Sequence, residues 1–366
     1  MHSHHSHSGE FCKHASSTLD EVLERAYELN FTHFHLSEHV PRFRAQDLYP
    51  EEKEAGFTPA ELAKQFQSYL AKARKMQSTY ALKERPMHIL VGCETENIVS
   101  PQSLDQLISV LGTARQASVP APYVGLGTVD YIVGSVHHVF EIPIDFDKPT
   151  FETAVRLGSY PGLLSTYLDA QYEVMERLRP EVIGHMDLFR LFEPDAPWIP
   201  EPSTSEGRTI LQKMERNVRF AASYGALFEA NSSAFRKGWS DETYPGQVFI
   251  RMIKGLKGRI ALSDDSHGAG QVALNFSRLH SYLLREEIDE IWYLTPSKRS
   301  TIPDDVATIF HSSEIERRER ELSKFPGSNA PDHFPRGTRA VRLPNWHTAK
   351  FWESLPSNLQ TPEPTK

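Results

Sequence analysis

Short apolar runs that end in polar, chemically capable residues recur along this chain, with helix-patterned stretches between them. They close on His39 (residues 31–39), Glu94 and Glu96 (87–96), His137 and His138 (131–138), His185 and Asp187 (181–187), Asn231 (227–231), and Asp265 and His267 (259–267). A further run at 290–294 reads as a last strand. Such alternation argues for parallel βαβ units rather than an all-α or all-β chain. A barrel explains more than an open sheet, because the C-terminal ends of its strands all face one pocket and gather residues distant in sequence. The expected class is α/β, a TIM-like barrel.

The intervening stretches carry helical spacing. Residues 17–29 place Leu19, Val22, Leu23, Ala26, Tyr27 and Leu29 on one face, with Thr18 and Glu21 as a capping pair. Thr58-Pro59 opens a longer pattern through Leu62, Phe66, Tyr69, Leu70 and Ala73. Helices are also expected at 104–111, at 151–178 with a break near Gly158–Gly162, and at 205–224, with loops at 140–147 and 194–202. Beyond residue 302 the character changes. A helix through Val306, Ile309 and Phe310 leads into the solvated charge run 316–321 and then a Pro, Ser, Asn and Arg-rich segment. Residues 1–302 are read as the barrel and 303–366 as a C-terminal extension, packed on it or partly disordered; Trp346 and Trp352 argue for packing.

A net charge of −8 and a pI near 6.1 give no basic footprint for nucleic acid or an anionic membrane. No apolar run is long enough to span a bilayer, and the N-terminus lacks a secretory pattern. Two cysteines, Cys12 and Cys93, make no disulfide framework, so a cytosolic protein is expected, its oligomeric state left open. A thiolate-ligand role for either cysteine is the lesser reading, since Cys93 adjoins Glu94 and the two would face opposite ways in a strand.

The histidines point to metal. In an extended segment His5 and His7 project to the same side and can offer two imidazoles to one cation. A histidine tag is the bland alternative, but Ser3 and Ser6 interrupt the run and Gly9-Glu10-Phe11-Cys12-Lys13-His14 follows it. The full candidate ligand set is His5, His7, His14, His39, Glu94, His137, His185, Asp265 and His267, with His2/His4 and His138 as substitutes for His5/His7 and His137. Seven imidazoles and two carboxylates exceed one four-coordinate shell, and mixed N/O ligation suits two or three divalent ions, Zn, Fe or Mn, with Glu94 as a bridge.

Six motifs in order resemble the PHP family, named for polymerase-associated domains and histidinol phosphatases. They are His5-x-His7, Ser37-Glu38-His39, Gly92-Cys93-Glu94, Gly134-Ser135-Val136-His137, Gly184-His185 and Asp265-Ser266-His267, and the resemblance spans about residues 2–295. Gly-Ser-Val-His and the stretch 229–237 are most similar to the histidinol-phosphatase branch, fungal members above all. The resemblance implies a distorted (β/α)7 barrel with three ions: one held by His5, His7, Glu94 and Asp265, a second by Glu94, His137 and His185, a third by His14, His39 and His267. The implied activity is hydrolysis of L-histidinol phosphate to L-histidinol and phosphate in histidine biosynthesis. Another small phosphate ester or a nucleotide is the alternative substrate, and a non-catalytic metal-binding protein the lesser reading.

For phosphomonoester hydrolysis, two ions lower the pKa of a bridging water to about 7 and aim hydroxide for in-line attack. Glu94, Asp265 and Arg236 are the expected catalytic residues, with Asp265 or a bound water as acid for the leaving alcohol. Arg236 is the preferred phosphate clamp, because guanidinium matches phosphate bidentately, with Arg190, Arg42 and Asn231 as further substrate contacts. Asp47, Glu141 and Asp145 are candidates for the imidazole end.

Overall fold

The computed structural model describes residues 1–96, 104–107, 111, 129–194, 201–297, 312–324 and 330–359. Five parallel strands form its largest sheet in the order β10-β9-β8-β5-β4, made of β4 (Gly92–Glu94), β5 (Tyr131–Gly134), β8 (Val182–Ile183), β9 (Leu227–Asn231) and β10 (Arg259–Ser263). Parallel bridges His33↔His88, Leu36↔Val91 and His39↔Glu94 carry the 33–39 segment alongside β4. Within it, β3 (His33–Phe34) pairs in parallel with β1 (His2–Ser3), and β2 (Ser6–His7) pairs with β11 (Ser266–His267). The histidine-rich N-terminus is thus a buried central strand, with residues 2–8 all buried. That excludes a dangling tag. Among the described residues the hydrogen-bonded sheets do not join into one closed ladder, so the structure establishes a parallel α/β arrangement.

The helices obey their sequence signals. Thr18 and Glu21 form a capping box on Leu19–Glu28, and Thr58 and Glu61 on Pro59–Ala81. The helix Lys148–Leu178 breaks at Ser159, whose φ is 60°. The expected loop at 140–147 contains half of a hairpin, in which β6 (His138–Val139) pairs with β7 (Ile142–Pro143). Of the helix expected at 104–111, residues 104–107 and 111 are helical. The rest of it, residues 195–200 of the proline-rich loop, and the helix through Val306, Ile309 and Phe310 lie outside the described residues.

Gly92 shows why strand ends need particular residues. A Cβ there would lie 2.3 Å from the Tyr131 ring, and that ring must stay because its hydroxyl donates to the His4 carbonyl at 2.7 Å.

Three imidazoles bridge strands that share no ladder. His4 donates through Nδ1 to the Leu262 carbonyl (3.3 Å) and accepts the Leu294 N–H at Nε2 (3.0 Å). His35 accepts the Leu90 N–H (3.1 Å) and donates to the Leu294 carbonyl (3.0 Å), while His2 accepts the Leu262 N–H (2.9 Å). Ring nitrogens therefore satisfy buried backbone groups that a neighbouring strand would otherwise have to meet.

In the C-terminal segment, β13 (Thr338–Pro344) pairs antiparallel along its whole length with β12 (Glu290–Pro296). Trp346 is buried and donates to the Ile288 carbonyl at 2.9 Å. Arg336 reaches the buried Glu181 (2.9 Å), and Arg259 pairs with Asp332 (2.7 Å). Residues 330–359 are therefore packed on the α/β body. Among the described residues no helix is long and apolar enough to cross a membrane.

Candidate metal centre

Glu94, the last residue of β4, is buried and divides its two oxygens between two histidine groups. Oε2 lies 3.0 Å from His5 Nε2, 3.2 Å from His7 Nε2 and 3.2 Å from His39 Nδ1. Oε1 lies 2.9 Å from His185 Nε2 and 3.2 Å from His137 Nε2. Tetrahedral ligands at about 2.0–2.1 Å from zinc stand about 3.3 Å apart, so these separations suit two cations sharing one carboxylate. Asp265 Oδ1 joins the first group, 3.5 Å from His5 Nε2 and 3.6 Å from His7 Nε2. Its φ of 46° is a left-handed turn that Asp tolerates better than most residues, placing Asp265 here while Asp264 bonds Ser3 and the Ala273 N–H.

The nitrogens nearest these carboxylates identify what is needed between them. Among the described residues, His5 Nε2 and His7 Nε2, which face Glu94 and Asp265, and His39 Nδ1, which faces Glu94 and Glu96, are buried without a hydrogen-bond partner. His5 Nδ1 lies 3.0 Å from Glu229 Oε2, a carboxylate–imidazole contact that fixes the proton on Nδ1 and leaves Nε2 as a metal-binding lone pair. Orphaned lone pairs facing buried carboxylates fit divalent cations. Three overlapping groups here have ligand atoms mutually within 4.8 Å: His5, His7 and Asp265; His5, Glu94 and His185; and His7, His39 and Glu94.

Electrostatics agree with this arrangement. Burial alone would raise the Glu94 carboxyl, but His5, His137 and His39 outweigh it and hold Glu94 well below the usual range. Burial would likewise lower His5, yet Glu94, Asp265 and Glu229 pull it well above an ordinary imidazole. Each group favours the charge its neighbours complement.

A fourth set lies at the rim, where Cys12, His14, His39 and His267 have ligand atoms within 4.8 Å of one another. His14 is the most exposed, its side chain 40% accessible, with Nδ1 3.1 Å from Glu51. Over the whole centre opens a cavity of about 470 Å³. Arg236, Lys237 and Lys13 contribute cations to its wall, and Tyr49, Glu51, Asp145 and Phe146 also line it. Arg236 donates to the Asp265 carbonyl at 3.0 Å.

Three expected substrate contacts go elsewhere. Arg190 is buried against Asp187 (3.0 Å) and Glu242 (2.9 Å). Arg42 is buried behind the centre, paired with Glu52 and 3.8 Å from Glu96. Asn231 donates to Glu229 Oε1 at 2.9 Å and accepts the Ser233 N–H. None of the three is among the described residues lining the cavity; each meets a buried protein partner, because a polar group this deep needs one. Asp47 and Glu141 both turn to Arg44, leaving Asp145, of the three acids, on the wall. His2 and His4 bond backbone and His138 stays off the wall, whereas His5, His7 and His137 face Glu94.

Sequence reasoning passed over the supporting carboxylates. Glu229 also accepts the His185 N–H at 2.5 Å, Glu96 lies 2.7 Å from His39 Nδ1, and Glu38 accepts from Ser8 beside His7. The available signal was acids one position from, or two positions beyond, a strand-end ligand, as in Glu38-His39 and Glu94-x-Glu96.

Comparison with known proteins covers most of the chain. It is 38% identical over 329 residues to a Schizosaccharomyces pombe protein named as a probable histidinol-phosphatase, covering 89% of this chain and 97% of that one. It is 31% identical over 335 residues to the Saccharomyces cerevisiae histidinol-phosphatase, covering 84% and 95%. The crystal structure of a Lactococcus lactis histidinol phosphate phosphatase complexed with zinc, L-histidinol and phosphate shares the fold at a TM-score of 0.52 and 17% identity, covering 78% of this chain and 93% of that one. Residues 3–233 match the PHP domain, and the chain belongs to the PHP domain family.

Proposed function

We propose that this chain hydrolyses L-histidinol phosphate to L-histidinol and inorganic phosphate, with two or three divalent ions as its cofactor. The observation that carries this is Glu94, whose oxygens face two histidine groups beneath a cavity edged by Arg236, Lys237 and Lys13. The names of the two fungal relatives support the substrate. Zinc is the first choice of ion, with iron or manganese behind it, and the cytosol the expected location. The barrel form is read as a distorted (β/α)7 arrangement with a C-terminal extension.

His5, His7, Glu94 and Asp265 would hold one ion, Glu94, His137 and His185 a second, and His14, His39 and His267 a third. Bound there, the ions supply activation of a water nucleophile and neutralisation of phosphate charge. The chain's own part is orientation and charge. Glu229 holds His5 in the tautomer that presents a lone pair inward, and Glu96 orients His39. Arg236, steadied by the Asp265 carbonyl, binds phosphoryl oxygens as their charge grows. Asp265 enters as a carboxylate: burial would raise it, but His5, His267 and His7 hold it well below its usual value, so it is unsuited to protonating the leaving alcohol. Asp145, with a buried Oδ1 that has no hydrogen-bond partner among the described residues, faces the cationic organic end together with Glu51 and the Tyr49 and Phe146 rings.

The test is phosphate release from L-histidinol phosphate, a nucleoside monophosphate and an aryl phosphate, by wild type and Arg236→Ala. The expected result is preference for L-histidinol phosphate and a loss of about 10²-fold or more in the variant. Preference for the nucleotide would remove the substrate assignment and leave the metal centre standing.

A further inference from the structure

We infer that Cys12 is a metal ligand, making the rim site a Cys-His₃ set distinct in chemistry from the N/O sites around Glu94. This rests on the metal-centre reading above and adds to it a sulfur donor.

The thiol is held in place by its own loop. Cys12 is 5% exposed, its N–H donates to the Ser8 carbonyl at 2.9 Å, and its carbonyl accepts the Ala15 N–H at 3.2 Å. Its Sγ stands 3.2 Å from His14 Nε2. All three imidazoles have Nδ1 beside an oxygen: His14 at 3.1 Å from Glu51, His39 at 2.7 Å from Glu96 and His267 at 2.9 Å from the Asp265 carbonyl. Each therefore has Nε2 free to present a lone pair. Among the described residues His39 Nε2 is buried without a hydrogen-bond partner. Ligand atoms within 4.8 Å need to tighten by about 1 Å to reach tetrahedral spacing around a zinc with bonds of about 2.0–2.3 Å.

Cys93 has none of this. It is fully buried in β4, one residue before Glu94, and belongs to none of the metal-capable groups among the described residues. Any thiolate–metal signal from this two-cysteine chain is therefore assignable to one residue. On coordination the thiol proton leaves to solvent and the S–metal bond forms with no change in oxidation state. A soft donor at the rim biases that site towards zinc over manganese relative to the oxygen-bridged pair.

The experiment is cobalt(II) loading of the full chain, read by absorption spectroscopy together with bound cobalt per chain. Wild type and Cys93→Ser are expected to show the near-ultraviolet thiolate-to-cobalt charge-transfer band, and Cys12→Ser to lose it while giving up at most one equivalent of metal. Cobalt bound in wild type without the band, or a band that persists in Cys12→Ser, overturns the inference and leaves the metal centre intact. No cobalt bound by wild type overturns both. Should Cys12→Ser fail to fold, the wild-type and Cys93→Ser spectra decide, since the band must be present in both.

Discussion

Two groups of buried histidines share the same strands and are put to opposite uses. His2, His4, His33 and His35 lie a few residues upstream of His5, His7 and His39 on those strands. In the upstream group His2, His4 and His35 bond backbone amides and carbonyls through Leu262, Leu294 and Leu90, and His33 meets the Thr32 hydroxyl. The strand-end group faces Glu94, Asp265, Glu229 and Glu96. Burial is the first cause of the depressed imidazoles upstream, where His33 falls to about 2 and His35 to about 4. At the strand ends burial acts in the same direction, and the outcome differs by residue. On His7, Glu38 and Glu94 reverse it and raise the ring to about 9. On His39, burial and the neighbouring His7 outweigh Glu96 and Glu94, and the ring falls to about 4. Burial alone does not decide what a histidine does; the charge and geometry of its partners do.

The comparison breaks first at Glu94. Glu94→Gln removes a full negative charge from between the two histidine groups and is expected to lower kcat by at least about 10³-fold, with bound metal measured alongside by elemental analysis. Unchanged turnover would make the strand-end group no different from the upstream one.

His4→Ala is the opposite case. It strips partners from the Leu262 carbonyl and the Leu294 N–H, and a loss of about 2–4 kcal/mol is expected in urea unfolding. Turnover per folded molecule should hold, because His4 is not among the described residues that line the cavity.

Glu229→Gln tests the support beneath His5 and His185. Metal affinity, followed by competition with a chelator, is expected to weaken about 10–100-fold while the fold persists.

A pH series sharpens the upstream half. The His35 ring in the folded state titrates near 4, below its unfolded value of about 6.5. The unfolded chain therefore takes the proton first: the contribution to stability is complete above about 6.5 and is lost as pH falls towards 4. In His35→Asn the fall in unfolding free energy across that window should be shallower than in wild type, by up to about 1.4 kcal/mol per pH unit.

The smallest effect is expected from Asp145→Asn: KM for L-histidinol phosphate rising about 10-fold, roughly 1.4 kcal/mol, with KM for an aryl phosphate lacking the cationic end unchanged.

Much of this was legible in the sequence, for physical reasons. Strand-end histidines and acids are visible because a parallel α/β arrangement puts its chemistry at the C-terminal edge, which is how Glu94, His137, His185 and Asp265 were found. Caps at Thr18 and Thr58 are local and read directly. What was hidden depends on partners far away in sequence. Arg190 and Arg42 read as phosphate contacts in the sequence, and in the fold they are paired with Asp187, Glu242 and Glu52. His2 and His4 could not be told from His5 and His7 by spacing; strands from residues 262 and 294 distinguish them. Pairing of β13 with β12 likewise depends on partners that lie on opposite sides of the composition change near residue 302.

The account stands most directly on metal dependence. Phosphate release from L-histidinol phosphate would be measured before chelation, after it, and after restoring zinc or manganese, with folding followed by circular dichroism. The expected result is turnover that disappears on chelation and returns with metal while the protein stays folded. Turnover that survives complete removal of metal would contradict the account.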